Sequence, residues 1–87
     1  MRKLNLTHDA LKFLKALDAK QFKQVVGKLF DLMKDPAPSD SRTLSGYDGR
    51  RADVGEFRVV YRFDSDSLFI DLIGKRNDDE VSRRLRR

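Results

Sequence analysis

The 87 residues carry 39% apolar side chains, which suffices for one domain over 1–87 with a two-layer core and excludes anything larger. The absence of cysteine excludes disulfides and thiolate metal sites, and no stretch approaches the roughly 20 apolar residues of a membrane span, so the chain reads as cytoplasmic with no membrane partner. A net charge of +5 and an isoelectric point near 9.8 favour an anionic partner. From the N-terminus, Arg2 to Leu6 alternates as a short strand, with Leu4 and Leu6 on one face. Thr7 is a suitable N-cap, and Ala10, Phe13, Leu14 and Leu17 follow at the spacing of an amphipathic helix. Asp18, with Gln21 three residues on, restarts a helix whose stripe is Phe22, Val25, Val26, Leu29, Phe30 and Met33. The two stripes predict an αα-hairpin that buries these side chains, Phe22 and Phe30 included, against a sheet.

Pro36 and Pro38 end the second helix and open a loop that Leu44 anchors to the core. Gly46 and Gly49 bracket Tyr47-Asp48 as a tight turn. Residues 49–76 then read as three antiparallel strands. A two-residue turn at Gly55-Glu56 sets Val54 opposite Phe57, Asp53 opposite Arg58, Ala52 opposite Val59 and Arg51 opposite Val60. A second turn around Ser65-Asp66 sets Phe63 against Leu68, Tyr61 against Ile70 and Val59 against Leu72. One face of this sheet is apolar. The other collects Arg51, Asp53, Arg58, Arg62 and Asp71, with Lys75 and Arg76 at its end. Asn77 or Asp78 can cap a short last helix carrying Val81 and Leu85.

The cations change type along the chain: residues 1–40 hold seven Lys and one Arg, residues 41–87 ten Arg and one Lys. Guanidinium forks grip phosphate through two hydrogen bonds and stack on bases, which suits the sheet to nucleic acid. A solvated, salt-bridged outer face accounts for the same spacing equally well. Other chemistry has little to stand on. His8 is the one histidine, at a helix start, and no carboxylate–histidine spacing forms a metal site. No phosphate-binding glycine loop is present, and no Ser or Cys nucleophile can be paired with a histidine base.

The order strand, helix hairpin, Pro-containing loop, Leu44–Gly46, then Arg51–Tyr61 and Gly74–Val81 resembles the RelE/ParE superfamily of toxins from bacterial toxin–antitoxin pairs. The Gly74-Lys75-Arg76 ending of the last strand is similar to the RelE branch. The resemblance implies an α+β fold, with an αα-hairpin on a roughly four-stranded, mostly antiparallel sheet and a short C-terminal helix. It implies an endoribonuclease that needs no cofactor or metal and cuts messenger RNA in the ribosomal A site, on the 30S subunit. It also implies a cognate antitoxin that binds the toxin in a hetero-oligomer. Carried over motif by motif, Arg51, Arg58 and Arg76 fall at catalytic positions, and Arg50, Arg62 and Lys75 are expected to bind nucleic acid. RelE has a lysine where this chain has Asp53 and a tyrosine where it has Ser82. Two other functions therefore stay open: a ParE-like inhibitor of DNA gyrase, and a catalytically weakened module that only binds antitoxin.

Overall fold

Both helices begin where a side chain can take up their free N–H groups. Thr7 Oγ1 accepts from Ala10 N at 3.1 Å and starts α1 (His8–Lys15); Asp18 Oδ1 accepts from Gln21 N at 2.8 Å and starts α2 (Ala19–Lys34). A computed structural model describes residues 1–76; the expected C-terminal helix lies outside the described residues. Five strands follow or precede the hairpin: β1 (Lys3–Leu6), β2 (Ser41–Leu44), β3 (Tyr47–Val54), β4 (Phe57–Phe63) and β5 (Ser67–Lys75). Their order is β1-β5-β4-β3-β2, with β1 parallel to β5 and every other pair antiparallel. The fold is thus α+β with one strand more than expected, because Ser41–Leu44 pairs with β3 instead of forming loop.

The core lies between the hairpin and one sheet face. It contains Ala10, Leu14, Val25, Leu29 and Leu32 from the helices and Ala52, Phe57, Val59, Tyr61, Leu68, Ile70 and Ile73 from the sheet. Phe13 meets Phe57 edge to face, at 5.8 Å between ring centroids. The Tyr61 hydroxyl donates to the Pro36 carbonyl at 2.7 Å, which ties the proline loop to the core.

Three expectations are corrected. Phe22 and Phe30 are 44% and 54% exposed, and Leu32, outside the predicted stripe, is buried. The buried line on α2 is Val25, Leu29 and Leu32; Phe30 lies about 140° around the axis from Val25, too far to reach the sheet. Tyr47-Asp48 is not a turn: the turn falls at Ser45-Gly46, where Gly46 takes φ +75°, and Tyr47 starts β3. Finally, Val59 pairs with Ile73, not Leu72. A register shift leaves Asp71 unpaired between Tyr61↔Ile70 and Val60↔Leu72. This β-bulge flips the alternation, so that Ile73 enters the core while Leu72 turns to the opposite face.

Candidate functional site

The β3–β4 turn gives the sheet face away from the helices its register. Gly55 has φ +58°, a backbone that a Cβ would strain, and a Cβ there would also lie 2.7 Å from Gln24 Nε2. With the turn held this way, Asp53 stands opposite Arg58 and Arg51 opposite Val60. Arg58 donates to both Asp53 oxygens, at 2.7 and 3.3 Å. Arg51 and Arg76 bring guanidinium nitrogens to 3.9 and 3.7 Å of Asp53 Oδ2. Arg76 is delivered by its backbone N–H, which bonds the Glu56 carbonyl at 2.9 Å. Three guanidiniums therefore meet at one carboxylate. The hydrogen bonds from Arg58 hold the Asp53 carboxyl below its usual range; partial burial works against this, and the charges of Arg58, Arg51 and Arg76 reinforce it. A carboxylate so held is a weaker base.

A second group occupies the same face. Asp71, on this face by alternation from Ile70, accepts from Arg62 at its two oxygens, at 2.7 and 3.0 Å. The Tyr47 hydroxyl donates to Asp71 Oδ2 at 2.5 Å, reaching from β3 past β4 to β5. This span requires Gly49: a Cβ there would fall 2.7 Å from Tyr47 Cε2 and 2.7 Å from the Tyr61 carbonyl oxygen. Burial, then the hydrogen bond to Asp71 and its negative charge, push the Tyr47 phenol up to about 12. Beneath the ring lie Val60, Leu72 and Leu44, a small apolar cluster on the outer face.

The structure brings Arg51, Arg58 and Arg76 together, and places Arg62 on the same face but committed to Asp71. It does not bring Arg50 there. Arg50 pairs with the core residue Tyr61 and turns to Ser41, whose Oγ accepts from its Nη2 at 2.8 Å. Lys75 stands across from the core residue Phe57, a register position on the helix side. Two residues were missed. Arg42, exposed and opposite Arg51, joins the face only because β2 is a strand. Tyr47 was read as turn, although an aromatic two residues before Gly49 was the available signal of a ring lying over a glycine.

Over residues 4–80 the sequence matches a family described as the ParE toxin of the type II toxin–antitoxin system parDE. No curated protein matches the sequence. Among solved structures, a chain of the archaeal RelE–RelB complex from Pyrococcus horikoshii aligns at TM-score 0.75 and 22% identity, over 86% of this chain and 94% of that one. A chain of the intact E. coli RelBE toxin–antitoxin complex aligns at 0.74 and 24% identity, over 86% and 96%. The isolated E. coli RelE toxin aligns at 0.74 and 20% identity, over 98% and 99%. At these identities the structural likeness is one of fold.

Proposed function

The chain belongs to the ParE toxin family of type II toxin–antitoxin systems, and from that premise we propose that it is an endoribonuclease that cuts messenger RNA on the ribosome and is held in check by a cognate antitoxin. The observation that supports this reading is the meeting of Arg51, Arg58 and Arg76 within 4 Å of one carboxylate oxygen pair. A position that holds a carboxylate among three guanidiniums suits a phosphodiester. When the RNA 2′-OH gives up its proton and attacks the neighbouring phosphorus, negative charge grows on the non-bridging oxygens of the phosphorane, and the bond to the 5′-oxygen of the next nucleotide then breaks, leaving a 2′,3′-cyclic phosphate and a 5′-oxygen that takes up a proton. Guanidiniums aimed at that charge stabilise it and keep their protons at neutral pH. Asp53 holds them in place in the free protein, and the phosphate competes with it. Bringing the 2′-OH into line falls to the ribosome and the RNA.

A second reading has its own support: the matching family is described as the ParE toxin, and inhibition of DNA gyrase is what resemblance to the ParE branch implies. Induced expression, followed by mapping of transcript 5′ ends and a supercoiling assay, separates the two. New codon-phased ends with unaltered supercoiling are expected. Inhibited supercoiling without new ends would replace the ribonuclease by a gyrase poison. Arg58→Ala removes an outer-face cation and no core contact, so the folded variant should lose about 10²–10³-fold in cleavage rate, the usual effect of deleting one preorganised donor. Undiminished growth arrest by that variant would take the arginine cluster out of the mechanism.

A further inference from the structure

We propose that Arg62 and Phe69 form a stacking platform for a nucleobase of single-stranded RNA, an inference that takes its substrate class from the ribonuclease reading. Arg62 differs from the three clustered arginines, which share the single carboxylate of Asp53, in facing a carboxylate that no other arginine among the described residues shares. Its Nε and one terminal nitrogen are both engaged by Asp71, at 2.7 and 3.0 Å, so the fork that would grip a phosphate is occupied and its charge is balanced. The guanidinium carbon lies over the Phe69 ring, 5.3 Å from its centroid. The side chain is nonetheless 49% exposed, which leaves room for a base to reach it from the open side. Two in-plane bonds fix the plane, and the ring beneath supports it. A base laid on the open side would therefore lose little conformational freedom to the protein. Stacking on aromatic rings and guanidinium planes is how proteins hold the unpaired bases of RNA.

The position suits a strand passing through the arginine cluster. Arg58 and Arg62 both face outward on β4, four residues and thus about 13 Å apart, a distance a few nucleotides cover. Asn5, exposed on β1 and paired in register with Phe69, places an amide beside the ring where the edge of a base would lie.

The test uses the full chain and 2′-O-methyl RNA single strands, which bind but cannot be cleaved, with one abasic position moved along the strand. In wild type, one abasic position should weaken binding about 5- to 150-fold, the range of a base–aromatic stack. Phe69→Leu and Arg62→Lys, which keep apolar volume and charge respectively, should weaken the intact strand similarly and bind the abasic strand no worse than wild type does. Phe69→Leu should leave the salt dependence of binding unchanged, whereas Arg58→Ala should flatten its slope by about 0.7. Wild type that binds the strand with no sensitive abasic position, or variants that bind it undiminished, would overturn the platform and leave the ribonuclease reading standing. A wild type with no affinity for single strands would also overturn the platform, whereas the ribonuclease reading, in which the ribosome presents the strand, is decided by the mapping of transcript ends.

Discussion

Asp53 accepts two hydrogen bonds from Arg58 while Arg51 and Arg76 stand within 4 Å of it, so the position holds three positive charges against one negative. Whether this carboxylate holds the arginines or takes the 2′-OH proton can be read from Asp53→Lys, which adds two units of charge. A holding role predicts tighter RNA binding with a steeper salt dependence and cleavage kept or raised. A base would instead show tighter binding with cleavage lowered about 10²–10⁴-fold. The depressed pKa favours holding. Tyr47 makes a second residue-scale prediction. Its phenol rises from 10.0 to about 12 on folding, so the neutral form is favoured in the folded state. The stability this contributes is fully present below pH 10 and is lost as pH climbs through about 12. Melting temperature should fall over that window, and the fall should be smaller in Tyr47→Phe, which has no proton to lose.

Helix α2 shows what periodicity can and cannot decide. The caps at Thr7 and Asp18 were legible because a cap needs only residues three positions away. The stripe on α2 was legible as a stripe, but six apolar residues span more arc than the sheet can cover, and the packing chose Val25, Leu29 and Leu32. Leu29→Ala should therefore cost about 2–5 kcal/mol in denaturant unfolding, while Phe30→Ala, exposed, should stay within about 0.5 kcal/mol. Strand β5 carries the corresponding lesson for sheets. Strict alternation puts Leu72 in the core and Ile73 outside; the unpaired Asp71 reverses both. Asp71 faces outward to Arg62 and Tyr47 by plain alternation from Ile70; what the inserted residue sets is Ile73 in the core and Leu72 in the outer apolar cluster with Tyr47.

At the scale of the molecule, the sheet closes only when the beginning of the chain returns to its last described strand. Lys3–Leu6 lies parallel to Ser67–Ile70, and Thr7 Oγ1 donates to the Asp71 carbonyl at 3.0 Å. Removing residues 1–6 would bare the edge of β5 and take Leu4 and Leu6 from the core. The truncated chain should elute as larger species in size-exclusion chromatography and lose its cooperative melt; a monomer with an unchanged melt would show β1 to be dispensable. No helix among the described residues is long and apolar enough to cross a membrane. The β3–β4 register, and with it the placing of Asp53 against Arg58, followed from sequence alone, because a two-residue turn with Gly55 at positive φ leaves its flanking strands one way to pair. The strand nature of Ser41–Leu44, the bulge at Asp71 and the reach of Tyr47 to a carboxylate 24 residues away were decided only in the tertiary structure. Each depends on a partner distant in sequence, and local residue preferences do not specify which distant partner the packing of the whole sheet will supply.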